Sequence, residues 1–193
     1  MQVVNFAGME TRQEIINIAY DLLREKGYNA FSFSDIGSEL KIKNASIHYH
    51  FPKKTDLGVA IIKDQQQKLF RLIESSAGRE PVQKLKMFLS LYSKTKLENK
   101  ICLVGSLATD LYTLEAPIRD HLKDFVDHTL QWVITILEEG RKKKVFHFRE
   151  SGRTKALLIL TNMAAGLQIT RLTSHRDFQQ IQRTVINDLL CKR

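Results

Sequence analysis

Apolar residues recur at helical spacing along nearly the whole chain. Ile15, Ile16, Ala19, Leu22 and Leu23 fall at i, i+1, i+4, i+7 and i+8, the stripe of a helix over about 11–26. Thr11 stands where a cap belongs, with Glu14 at capping-box spacing. Gly27, just past Lys26, is a stop, because glycine takes the left-handed conformation without penalty. Phe31 and Phe33 precede a two-turn helix from Ser34 to Leu40, opened by Ser32 with Asp35 three residues on, and carrying Ile36 and Leu40 on its inner face. Lys41-Ile42-Lys43 breaks the pattern. Asn44 is a favoured cap for a third short helix, Ala45 to Phe51, which Pro52 ends by pushing the residue before it out of helical geometry.

A fourth helix over about 53–77 meets no breaker until Gly78. Further helices are predicted over about 81–97, over about 102–112, from Ala116-Pro117 to Gly140 or the Arg141–Lys144 run, over about 153–173, and over about 177–191. The fold class is all-α, with about nine helices. The segment holding Leu157, Leu158, Ile159, Leu160, Met163, Leu167, Ile169 and Leu172 is apolar nearly all round, the pattern of a helix buried on several sides. One side would face the chain's own core and another a second copy. Helices about 153–173 and 177–191, the latter with the stripe Phe178, Ile181, Val185 and Leu189, are therefore read as a homodimer interface, where Ala164-Ala165-Gly166 would admit a close neighbour. A purely internal core helix is the alternative.

Composition narrows the class. Apolar residues make up 43% and charged residues 26%, a globular balance, and only nine glycines and three prolines disfavour a turn-rich β protein. The longest uncharged stretch, Ala156 to Thr170, includes Thr161, Asn162 and Gln168 and is short of the roughly 20 apolar residues a bilayer span needs. The opening MQVVNFAGMETR lacks a basic start and a long apolar core. No membrane association and no secretory leader are expected, and the location is expected to be cytoplasmic. Cys102 and Cys191 are too few for a disulfide scaffold or a CxxC zinc site.

The net charge of +9 is unevenly placed. Residues 1–57 hold seven basic and seven acidic side chains, so the excess lies beyond them. Yet between Glu39 and Asp56 stand four lysines, Lys41, Lys43, Lys53 and Lys54, and no acid. Two short helices across a three- or four-residue turn are the helix-turn-helix arrangement, whose second helix enters a DNA major groove. On spacing alone an ordinary small helical bundle fits equally.

The stretch from Gly27 through Asp35-Ile36, continued by Asn44-Ala45-Ser46-Ile47-His48-Tyr49-His50-Phe51-Pro52-Lys53-Lys54-Thr55-Asp56-Leu57, resembles the DNA-binding domain of the TetR family of bacterial transcriptional regulators. Cys102 to Leu111, with Ala116-Pro117-Ile118-Arg119, is similar to the ligand-binding half of one TetR subgroup. The resemblance implies a helix-turn-helix domain over 10–57 and a ligand-binding and dimerisation domain over 58–193. It implies a homodimeric repressor on a palindromic double-stranded DNA operator, released by a small-molecule effector. Carried over by position, Lys43, Asn44, Ala45, Ser46, His48, Tyr49 and His50 would lie on or near the groove-facing helix, and Ser32 and Lys54 would hold phosphates. Two residues depart from the family pattern. Lys41 stands where glycine is usual, so the turn is expected to be strained or differently shaped, and His48 replaces the usual tyrosine.

Tyr92, Cys102, Tyr112, Trp132 and Met163 are candidates to line an effector pocket, each with core filling as the plain alternative. Cys102, at a predicted helix start beside Lys100, could have a lowered thiol pKa and sense electrophiles; a small buried hydrophobe is the commoner role. His121, Asp124 and His128 share a helix face, but solvated polar positions at that spacing are far commoner than a metal site, and no metal or other cofactor is expected. No nucleophile–base grouping, P-loop or dinucleotide motif occurs, so no catalytic residues and no enzyme activity are expected. The alternatives are a helical small-molecule-binding protein or minor enzyme that has lost DNA specificity, and a transcriptional activator.

Overall fold

A computed structural model describes residues 6–191. Among them are nine helices and no strand: α1 (Phe6–Lys26), α2 (Phe33–Leu40), α3 (Asn44–His50), α4 (Lys54–Ser75), α5 (Pro81–Leu97), α6 (Leu103–Thr109), α7 (Ala116–Lys142), α8 (Gly152–Ile169) and α9 (His175–Leu190). The stripe Ile15, Ile16, Ala19, Leu22 and Leu23 is buried as its spacing requires. Gly27 ends α1 at φ 93°, in the left-handed region.

Two core clusters divide the packing. The first joins α1, α2, α3 and the start of α4 to Leu103 and Leu107 of α6 and to Leu114, Ile118 and Leu122 around the start of α7. The second gathers the far half of α4 with α5, α7, α8 and α9 around Phe88, Val133, Leu137, Phe146, Met163 and Phe178. Helix α4 runs through both, with Leu57, Ile61 and Ile62 in one and Leu69 in the other. The position 57/58 thus lies inside a continuous helix. Beyond α7 the amides of Val145 and Phe146 both donate to Gly140 O, at 2.9 and 3.1 Å. That turn brings the buried Phe146 ring against the bare α-carbon of Gly140.

Several boundaries differ from those the sequence predicts. Helix α1 begins at Phe6, so Thr11 is an internal residue and not a cap; no proline interrupts residues 6–10. The cap of α3 is Lys43, in extended backbone at φ −72° and ψ 147°, and Asn44 is the first helical residue. Helix α6 stops at Thr109, short of residue 112. Helix α8 stops at Ile169, where Thr170 Oγ1 donates to Gly166 O (2.7 Å) and Lys96 Nζ donates to Thr170 O (2.8 Å).

Helix α8 is also less enclosed in the single chain than its composition suggests. Leu157, Leu158, Thr161, Ala165 and Ile169 face outward. The neighbour that approaches Gly166 is α9 of the same chain: a Cβ there would lie 3.4 Å from the Phe178 ring. Among the described residues no helix is long and apolar enough to cross a membrane.

Candidate nucleic-acid interface

The capping pair predicted for α2 is present. Ser32 donates to Asp35 Oδ2 from both its backbone N and its Oγ (2.6 Å each), and Asp35 N donates back to Ser32 Oγ (3.3 Å). The Ser32 bonds hold the Asp35 carboxyl below the usual carboxylate range. The entry of α2 is thereby fixed. Helix α3 is anchored from beneath by Ile47 and Phe51, both buried.

The opposite side of α3 is open. Lys43, Asn44, Ala45, Ser46, His48 and Tyr49 are all exposed, Tyr49 to 82%, while His50 is half-buried with its ring edge-on to Tyr49. His48 Nδ1 lies 3.4 Å from Pro52 O and its ring packs edge-on against Phe33. Seven of the nine candidate residues therefore share α3 and its entry, six of them exposed, with Ser32 exposed at the entry of α2.

Lys54, the first residue of α4, is half-buried. Its ammonium donates to Tyr28 O (2.6 Å) and to Phe31 O and lies over both aromatic rings. Burial pushes its pKa down, with the Asp110 and Asp35 carboxylates opposing. Two of its three N–H groups are engaged in tying the loop before α2 to α4. Spacing gave no hint of this second role, because the two carbonyls lie 23 and 26 residues away.

Of the two outcomes expected where the family pattern has glycine, strain or a different shape, the turn between α2 and α3 takes the strained one: Lys41 sits at φ 56° and ψ 38°. Beside it an open cleft of about 570 Å³ is lined by Ser34, Gly37, Ser38, Lys41, Ile42, Lys43 and Asn44.

This N-terminal unit is clamped to the rest of the chain by α6 and the loop after it. Asp110 Oδ2 accepts from the amides of Tyr28 (3.1 Å) and Asn29 (3.4 Å), Asn29 Nδ2 donates to Thr113 Oγ1 (2.8 Å), and Thr55 Oγ1 donates to Glu115. Ser106 Oγ donates to Leu23 O at 2.6 Å. The buried Arg24 donates to Asp21 and to Glu98 (2.7 Å each) and stacks on Tyr20. Apart from the contacts of Arg24 with Asp21 and Tyr20, none of these is local in sequence, and those that join distant segments are not readable from spacing.

The candidate effector residues separate. Tyr92 and Trp132 converge on Phe88, with ring centroids 5.5 and 5.9 Å from it, and Met163 and Cys102 belong to the same cluster. Phe88, the hub, was not singled out by the sequence. Tyr112 does not join them: it follows the end of α6 and is 99% exposed, because α6 stops before reaching it. Cys102 caps α6, its sulfur accepting from Gly105 N (3.3 Å), and burial pushes its thiol up, not down. The nearby Lys100 is paired with Asp21 instead (2.8 Å). His128 Nδ1 approaches Asp124 O and Gln66 Nε2, and no metal-binding group is present among the described residues. A larger cleft of about 740 Å³, between the end of α7 and α8–α9, is lined by none of the candidate effector residues.

Residues 15–61 match the family model described as bacterial regulatory proteins, tetR family. A solved TetR transcriptional regulator from Legionella pneumophila is 30% identical, with 98% of this chain and all of that one covered at a TM-score of 0.82. A TetR-family regulator from Agrobacterium tumefaciens shares the fold at a TM-score of 0.88 with 21% identity, covering 95% of this chain and 100% of the other. The HTH-type transcriptional repressor DhaR of Mycobacterium sp. (strain GP1) is 26% identical over 125 residues, 63% of this chain and 61% of that protein. The chain thus spans about three fifths of that relative's length.

Proposed function

The chain belongs to the TetR family of transcriptional regulators, with a helix-turn-helix DNA-binding domain in its N-terminal part, and from that premise we propose that it acts as a dimeric, effector-released repressor. The observation that carries this reading is the pairing of an exposed polar face on α3 with a buried anchor beneath it. Asn44, Ser46 and Tyr49 reach base edges in the major groove, where a few side chains on an inserted helix supply sequence preference. Lys43, His48, His50 and the remaining N–H of Lys54 approach phosphates, and Ala45 lets the helix sit close to the groove floor. Ser32 positions the start of α2, and it reaches a phosphate only if its hydroxyl turns away from Asp35.

Residues 10–57 form the reading unit in this account and 58–193 the effector and dimerisation unit. The outward Leu157, Leu158, Thr161, Ala165 and Ile169 of α8, with Leu190 of α9, are the surface covered by a second copy. A dimer of this kind sets its two α3 helices about one DNA turn apart, roughly 34–36 Å. The effector enters around Phe88, Tyr92, Trp132 and Met163. It shifts the protein toward the released state only by its difference in affinity for the two states. The link to the reading unit runs through the clamp at Asp110, Thr113 and Glu115.

The test is a gel shift on the DNA adjoining its own gene, with sedimentation of the free protein. A dimer that retards that fragment, and whose removal raises transcription from it, supports the reading. A monomer at micromolar concentration, or a fragment left unshifted, refutes it, and transcription that falls on removal makes the protein an activator.

A further inference from the structure

The turn between α2 and α3 carries a residue that backbone geometry argues against. At φ 56° the Cβ of Lys41 crowds the neighbouring carbonyl, a cost glycine escapes. Its N–H closes α2 on Gly37 O, a bond that any non-proline residue's amide can make, so the turn itself does not call for lysine. The side chain is not used inside the fold either. Lys41 is exposed, and among the described residues its ammonium makes no ion pair. It lines the 570 Å³ cleft with Ser34, Ser38, Lys43 and Asn44: two cations, an amide and two hydroxyls, of which that of Ser38 donates to Ser34 O (2.9 Å), with no carboxylate among the lining residues. Such a donor set suits the phosphate oxygens of a nucleic-acid backbone.

We propose that Lys41 is a DNA-backbone contact, holding a phosphate beside the groove that α3 enters, and that the left-handed turn is retained for the charge it carries there. This inference rests on the DNA-binding reading above and adds to it a residue outside the α3 face. Lys43 differs, since it sits in ordinary extended backbone and costs nothing to keep.

Three variants separate charge from backbone. Lys41→Gly removes both the charge and the strain, Lys41→Asn removes the charge at a residue type that tolerates the left-handed region, and Lys41→Arg keeps the charge. Thermal melts of the full chain should show Lys41→Gly raised by roughly 2–4 °C. Fluorescence anisotropy on a duplex from DNA adjoining its own gene, titrated between 50 and 200 mM KCl, reads the contact. Because a dimer places two copies of Lys41 on the duplex, the slope of log affinity against log salt should be shallower by about 1.8, or about 0.9 per subunit, in the Gly and Asn variants and unchanged in the Arg variant. Their loss of affinity should accordingly be roughly tenfold greater at the lower salt than at the higher. Gly and Asn variants with the wild-type slope overturn this inference alone. Wild-type protein that binds neither that duplex nor a scrambled one overturns the DNA-binding reading, and this inference with it.

Discussion

Replacing Gly140 by alanine adds one methyl group at a point where the fold has no room for it. A Cβ on Gly140 would lie 2.7 Å from Phe146 Cγ and closer still to Cδ2 and Cε2, whereas ordinary contact begins near 3.4 Å. Because Cδ2 is the nearest of these atoms, the ring must move by appreciably more than about 1 Å, a displacement large enough to forfeit much of its dispersion contact. It is poorly placed to move: Phe146 is 1% exposed, and its own amide is bonded to Gly140 O. Losing a buried phenylalanine outright costs about 3–5 kcal/mol, which bounds the damage from above. Alanine returns about 1 kcal/mol through its better helix propensity. The balance is a loss of about 2–3 kcal/mol, or a Tm lowered by roughly 5–10 °C for a chain of this size. Thermal unfolding followed by circular dichroism measures it, with Gly140→Ala/Phe146→Leu as the companion. If the clash is the cause, Phe146→Leu should cost less in the Gly140→Ala background than in the wild type. A Gly140→Ala protein as stable as wild type, or two losses that simply add, would refute the reasoning.

Other consequences are as direct. Asp110→Ala leaves the Tyr28 and Asn29 amides without their acceptor; a loss of about 1–2 kcal/mol is expected, together with faster hydrogen exchange at those two amides, and unchanged protection would deny the clamp. Burial works to raise the Asp21 carboxyl, but bonds from Lys100 and Arg24 outweigh it and hold the group low. Its contribution is then complete above the unfolded value near 4 and disappears as pH falls through the lower folded value. The Tm gap between wild type and Asp21→Asn should accordingly narrow below about pH 4, and a constant gap from pH 7 to pH 2.5 would contradict this. Cys191 is exposed and Cys102 is half-buried with a raised thiol, so a maleimide should label Cys191 in the native protein much faster than Cys102, and the two rates should converge on unfolding; native labelling of Cys102 as fast as that of Cys191 would revive a sensing role for it.

What the sequence made legible follows from what is local. The apolar stripe of α1, the Ser32–Asp35 cap and the stop at Pro52 all depend on residues within one or two turns of each other. Each is found as the spacing implies. Helix ends chosen by tertiary contacts were not legible. Lys96, 74 residues away, holds the carbonyl of Thr170 where α8 stops, and the early end of α6 leaves Tyr112 in solvent. The inward bonds of Lys54 and the grip of Asp110 on Tyr28 and Asn29 likewise join segments that only the fold brings together. Phe88 escaped notice because an aromatic in an amphipathic helix looks the same whether it fills a core or organises one.

The central claim is that two copies of α3 enter one face of duplex DNA a helical turn apart. Hydroxyl-radical footprinting on the DNA adjoining the chain's own gene tests it most directly. The account predicts two protected segments, their centres separated by about 10 base pairs or a multiple of that spacing, both lost in a variant carrying Asn44→Ala and Tyr49→Ala that still folds. A single uninterrupted patch, or protection that survives that double substitution, would contradict it.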